Sequence, residues 1–143
     1  MKREIKFRAW HTEKKLMFSA MGMAIDQMTL LPTGQFINVH SNPKLSEIDH
    51  EGVMIPLQYT GLKDKNGVEI YEGDIGEMQM INEFGSQEIK RGVMEMHPNG
   101  FWSFKTESEY DLDKTSPPIV IGNIYENPDL LSPFPPKGEG SIS

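Results

Sequence analysis

The chain has 143 residues, of which 37% are hydrophobic, and it contains no cysteine. A chain of this length can bury a core without covalent cross-links, and the missing thiols exclude disulfides and thiolate metal sites. The net charge of −7 disfavours non-specific binding of nucleic acid, because neutralisation of phosphates supplies most of that affinity.

The first predicted element is a strand at residues 5–10, where apolar and polar side chains alternate. Trp10 has the same parity as Lys6 and Arg8, so the three side chains face one side of that strand. A large aromatic side chain beside two cations gains little stability unless another surface covers it. We therefore expect Lys6, Arg8 and Trp10 to take part in an interface with another subunit.

The next segment, residues 21–30, has apolar side chains at alternate positions and predicts a strand, although the window also accommodates a helical turn. Pro32 and Gly34 mark a turn, because proline fixes φ and glycine accepts a positive φ. A short strand is expected at residues 35–39, and the polar residues 40–52 are expected to form a loop.

The strongest local signal is the Asn66–Gly67 pair, which lies between apolar segments at residues 57–60 and 68–71. Asparagine and glycine both tolerate a positive φ, and an Asn-Gly pair between such segments is typical of a β-hairpin turn. The sequence therefore predicts a hairpin closed at these two residues.

Short strands separated by turn residues continue to the end of the predicted domain. They are expected at residues 75–81, 89–97, 101–105 and 119–122. This rhythm is typical of a small barrel or curled sheet, so the predicted fold class is mainly β with short-stranded sheets. Residues 107–118 are expected to form an acidic loop, and Asn127 followed by Pro128 predicts one short C-terminal helical turn.

The domain organisation follows from these elements. Residues 1–131 are expected to form a single domain, which can divide into an N-terminal lobe at 1–52 and a barrel lobe at 53–131. Residues 132–143 are rich in proline and glycine and are predicted to be a disordered tail. No apolar run is long enough for a signal peptide or a membrane span, which predicts a cytoplasmic protein that does not enter the membrane.

Two groups of residues could carry chemistry. The carboxylates of Asp64, Glu69, Glu72 and Asp74 lie close together in sequence, but turn capping and solvent exposure explain them better than acid–base catalysis. The segment that contains His40, Asp49 and His50 leaves open a metal-dependent hydrolase. We expect surface histidines instead, and we predict no catalytic residue, metal site or cofactor.

An alternative binding function rests on aromatic and basic residues. Phe101, Trp102 and Phe104 lie on one predicted strand and could stack nucleic-acid bases, but we expect core or subunit contacts instead, with Trp102 in the interface. Residues 1–15 carry a balance of +4, which leaves −11 for the remainder, so this basic arm could contact phosphate or an acidic face of another subunit. We favour the subunit.

Several motifs resemble those of the YopX family of phage and prophage proteins. The resemblance begins at Ile5–Trp10, continues through Gln58–Asp64 and Ile70–Ile75, and closes at Ile121–Pro128. It covers about residues 1–131 in order and spacing. His11 departs from the acidic residue that many members carry after the tryptophan.

The resemblance implies a β-rich fold with a small SH3-like barrel portion and an oligomeric phage or prophage protein. It brings no enzyme activity, cofactor or catalytic residue. We therefore expect a non-enzymatic accessory protein that self-associates or binds a host or phage protein. Binding of nucleic acid and metal-dependent hydrolysis are the alternatives.

Overall fold

The computed structural model describes residues 4–38, 48–112 and 117–131, so the predicted tail at 132–143 lies outside the described residues. The backbone groups into two compact units, residues 1–61 and 62–143. No helix of the described segments is long and apolar enough to cross a bilayer.

The first unit contains a small antiparallel sheet and a helix. Its elements are β1 (Phe7–His11), β2 (Leu16–Phe18), α1 (Ala20–Ile25), β3 (Met28–Leu30), β4 (Phe36–Asn38) and most of β5 (Met54–Lys63). Strand β1 lies between β2 and β5, and β3 pairs with β4. The core is formed by Ala9, Met23, Phe36 and Met54, which are nearly inaccessible to solvent.

The strand predicted at residues 21–30 is confirmed only at its end, where β3 lies. The preceding residues form the short helix α1, so the strand prediction for that part is wrong. The side-chain oxygen of Ser19 accepts a hydrogen bond from the backbone N–H of Gly22 and caps the helix. In the helix Met23 faces the core, whereas Met21 and Ile25 remain exposed.

The second unit is a curled antiparallel sheet. Its elements are β6 (Glu69–Tyr71), β7 (Asp74–Ile81), β8 (Gln87–Met96), β9 (Trp102–Lys105), β10 (Glu109–Asp111), β11 (Ile119–Asn123) and a 3₁₀ turn (Pro128–Leu131). Five strands pair in the order β10-β9-β8-β7-β11 and form a half-barrel, with Ile70, Met94 and Phe104 buried in its core. The predicted mainly-β fold and the C-terminal helical turn are confirmed. The acidic loop expected at 107–118 is wrong in part, because Glu109–Asp111 form β10.

Four hairpin turns in the described segments share one backbone geometry. In the turn predicted at Asn66–Gly67, the N–H of Gly67 donates to the carbonyl of Asp64, and the N–H of Asp64 donates to the carbonyl of Val68. Gly67 has a positive φ, at 81°, whereas Asn66 does not, and the predicted turn is confirmed. The same bonds and a positive-φ glycine recur in turns that end at Gly34, Gly85 and Gly100.

Buried polar side chains in the second unit bind backbone groups. Asp64 is 5% exposed, and one of its oxygens accepts from the N–H groups of Asn66 and Val68. Its other oxygen accepts from the N–H of Val120 in β11, at 3.0 Å. Asp74 is also buried and accepts a hydrogen bond from the N–H of Tyr71. These carboxylates therefore join separate strands, in addition to the local capping expected for Asp64.

Candidate functional site

The hairpin of β7 and β8 extends past the strands on either side of it. Strand β9 pairs with β8 over Val93–Met96, and β11 pairs with β7 over Asp74–Glu77. The pairing of β7 with β8 continues without these neighbours to Ile81 and Gln87. We call residues 78–92 the arm.

The local sequence explains the position of the turn that connects the two strands of the arm. The side-chain oxygen of Asn82 accepts hydrogen bonds from the N–H groups of Phe84 and Ser86, and Gly85 adopts a φ of 81°. Asparagine side chains favour such local bonds over a continued ladder, and glycine accepts this φ without strain. The turn therefore ends both strands and presents Phe84 at the outer end of the arm.

Three large apolar side chains on the arm are exposed. Ile81 is 72% exposed, Phe84 82% and Ile89 60%. Because Ile81 pairs with Gln87 and Gln79 pairs with Ile89, the two isoleucines lie on the same face of the hairpin. We call Ile81, Phe84 and Ile89 the apolar tip. An isolated two-stranded hairpin is marginally stable in water, so an arm with this tip is a surface suited to burial against a partner.

Charged side chains occupy the opposite face of β8. The ammonium group of Lys90 lies 2.9 Å from a carboxylate oxygen of Glu107 and 3.5 Å from one of Glu88. The hydrogen bond to Glu107 and its negative charge raise the pKa of Lys90. The hydrogen bond from Lys90 lowers the pKa of Glu107, whereas the hydrogen bond from Asn82, followed by the charge of Lys90, lowers the pKa of Glu88.

The base of the arm is held by Arg91. Its guanidinium donates to a carboxylate oxygen of Glu77 at 3.0 Å and to the backbone carbonyl of Leu130 at 3.4 Å. A cavity of about 290 Å³ lies beside this base, and its walls include Met78 and Ile89 of the arm. The arm is thus anchored at one end and exposed at the other.

The sequence matches the YopX protein family over residues 6–132. The chain belongs to the YopX family. It is also similar to the crystal structure of protein EF1440 from Enterococcus faecalis, with 28% sequence identity and a TM-score of 0.61 over 92% of this chain and 100% of that one. No curated protein matches the sequence.

Three of the four residues predicted to form an interface lie together in this YopX-family protein, since Lys6 directly precedes β1 and Arg8 and Trp10 lie within it. Trp10 is only 6% exposed in the single chain, so it offers little surface to a partner. Lys6 forms an ion pair with Glu4 and lies 5.0 Å from the ring centre of Tyr59, while Arg8 is half-buried.

Trp102, the fourth predicted interface residue, is half-buried in β9 and pairs with Met96 of β8. Its neighbour Phe104 belongs to the core, and Phe101 stacks on His97 at 4.3 Å. The strand thus presents a stacked His97–Phe101 pair rather than a row of free aromatic faces. Nucleic-acid binding by the basic residues of segment 1–15 and by this strand stays a prediction.

The structure describes two of the three residues considered for a metal site, Asp49 and His50. His40 lies outside the described residues. Both carboxylate oxygens of Asp49 accept backbone hydrogen bonds, from Val53 and Met54, and His50 is exposed. Among the described residues, no group of three or more histidine, aspartate or glutamate side chains could hold a metal ion.

Replacing Lys90 with methionine is expected to raise the pKa of Glu107 more than that of Glu88. Lys90 is the main cause of the lowered pKa at Glu107, whereas Asn82 contributes most at Glu88. Lowered carboxylate pKa values stabilise the fold above the ordinary value of 4.5, and this contribution is lost as the pH falls. Carbon-detected NMR titration of the parent and the variant measures both groups. An equal rise at both would contradict the role of Asn82.

Proposed function

We propose that this YopX-family protein is a non-enzymatic β module that acts by self-association. In this proposal it is an accessory protein of a phage or prophage and works in the cytoplasm of the host cell. The family resemblance supports the phage origin. The exposed arm supports the self-association.

The observation that carries the proposal is the gathering of exposed apolar side chains at the end of an ordered hairpin. Ile81, Phe84 and Ile89 expose more than half of their surface at positions where polar residues would solvate the arm better. Apolar side chains that extend together into solvent are typical of surfaces that a partner covers. A second copy is the simplest partner, because each copy supplies the same arm.

Sedimentation velocity at about 10–100 µM tests the proposal, because a contact with a dissociation constant of about 1 µM is largely occupied in this range. We expect the parent to sediment as a species larger than a monomer. A chain that remains monomeric throughout would refute self-association.

A matched pair of variants asks whether the arm contributes. Ile81 and Ile25 are both 72% exposed, the first on the arm and the second on α1. Ile81→Ser is expected to weaken self-association by about tenfold, because it removes roughly 1–2 kcal/mol of apolar burial from the contact. Ile25→Ser is expected to leave association unchanged. Equal effects of the two substitutions would remove the arm as the reason for the proposal.

A further inference from the structure

The cavity beside the base of the arm and the two isoleucines of the apolar tip lie on one face of the β7–β8 hairpin. Glu77 pairs with Ile119 of β11, and Gln79 pairs with Ile89 of β8. Side chains of directly paired residues lie on the same side of a sheet, so these four, which all line the cavity, share a face. Ile81 lies two residues after Gln79 and faces the same side.

This face has a limit at each end. At the base of the arm, Arg91 binds the carboxylate of Glu77 and the carbonyl of Leu130, so the charge of Glu77 is neutralised and the C-terminal 3₁₀ turn lies there. At the outer end Phe84 is 82% exposed and is not among the residues that line the cavity. About 10 Å of extended strand separates its turn from Gln79, which keeps the ring away from the cavity of its own chain.

The cavity and the outer end of the arm are complementary in size, polarity and charge. The cavity has a volume of about 290 Å³, and a cavity of about 150 Å³ accommodates a benzene ring. Ile89 and Ile119 supply apolar walls, and the cationic side chain of Lys65 also lines it. In the turn, Glu83 directly precedes Phe84 and is exposed. The turn therefore offers an aromatic ring beside a negative charge, and the cavity offers apolar walls beside a positive one.

We infer that two copies of this protein pack these faces together, with Phe84 of each copy seated in the cavity of the other. The inference rests on the proposed self-association and names its surface. Under two-fold symmetry the distance from ring to cavity is the same in both directions, so both rings are seated at once and the contact closes at a dimer. Ile81 lies between the two ends of the face and therefore near the axis. Because the contact uses a face of the hairpin, the pairing of β8 with β9 is unchanged.

The test uses one variant that removes the ring and one that blocks the cavity. Phe84→Ser leaves the cavity open, whereas Gln79→Trp fills it, and both positions are exposed, so both variants are expected to fold. A seated ring is expected to contribute about tenfold to the affinity, since it is buried in the contact. Each variant alone seats neither ring and is therefore expected to dimerise about hundredfold more weakly than the parent.

Mixing the two variants restores one of the two contacts, because Phe84 of the Gln79→Trp variant enters the open cavity of the Phe84→Ser variant. The heterodimer is expected to be about tenfold weaker than the parent dimer and about tenfold tighter than either variant alone. Sedimentation velocity with one variant fluorescently labelled measures the heterodimer, and circular dichroism confirms that both variants are folded. Met21→Ser is the control, because Met21 is 70% exposed on α1, outside the arm, and this variant is expected to dimerise like the parent.

Three other outcomes overturn the inference. If the parent dimerises and Phe84→Ser weakens it no more than Met21→Ser does, the ring is not in the interface. If both variants are weakened but their mixture associates no more tightly than either alone, the ring contacts something other than the cavity. In these two cases self-association stands and its surface is a different one. If the parent is monomeric, the inference fails together with the proposed function.

Discussion

Replacing Asp64 with alanine is expected to destabilise the protein by about 3 kcal/mol, because three backbone N–H groups lose a charged acceptor at once. Two of them, of Asn66 and Val68, belong to the hairpin turn that Asp64 begins. The third, of Val120, belongs to β11 and is 56 residues distant in sequence. The substitution therefore removes a local cap together with a connection between strands. Urea denaturation measures the change.

Asn82→Ala is the matched control for this prediction. The side-chain oxygen of Asn82 accepts from residues two and four positions further on, as that of Asp64 does, but these two bonds are exposed. Its amide nitrogen donates only to the side chain of Glu88 in the adjacent strand of the same hairpin. Loss of such a cap costs about 1 kcal/mol. If Asp64→Ala were no more destabilising than Asn82→Ala, the bond to Val120 would contribute nothing to stability.

Gly92→Ala is expected to cost about 3 kcal/mol through steric overlap, since insertion of atoms into a packed site forces the backbone to move. A Cβ atom at this position would lie 2.4 Å from the carbonyl oxygen of Lys105 and 2.8 Å from its carbonyl carbon. Both are backbone atoms, which cannot rotate away as a side chain can. The expected result is a lower midpoint of urea unfolding.

Gly67→Ala provides the comparison for this second substitution. Gly67 has a φ of 81°, and a Cβ there would meet nothing within 4 Å. Its replacement should cost about 1 kcal/mol from backbone strain alone. A cost at Gly92 no greater than that at Gly67 would show that β9 shifts away from β8 easily.

Local patterns explain the parts of the fold that were predicted correctly. The strands at β7, β8, β9 and β11 were expected within a few residues, because alternating side chains and turn residues act over short distances. The turn at Gly67 was predicted for the same reason. The helix α1 was missed because Met21, Met23 and Ile25 satisfy a period of two as well as one helical turn, while the signal that favours a helix is the Ser19 cap.

The candidate site was not predicted, because its parts depend on which strands become neighbours. The sequence pattern places Ile81 and Ile89 in ordinary strands. It contains no signal that the pairing of β9 and β11 ends before the β7–β8 hairpin does. Tertiary packing also decides how much of Trp10 is accessible. Its parity places it beside Lys6 and Arg8, and packing within the chain leaves it only 6% exposed.

The sequence by itself determined the mainly-β class, the order of the strands along the chain and the position of the hairpin turns. These depend on side-chain alternation and on glycine at positive φ, which are properties of neighbouring residues. Only the tertiary structure decided that Asp64 binds β11, that Gly92 lies against the backbone of Lys105, and that the arm extends past its neighbours. Each of these is a contact, or a missing neighbour, between segments distant along the chain, and no local pattern encodes it.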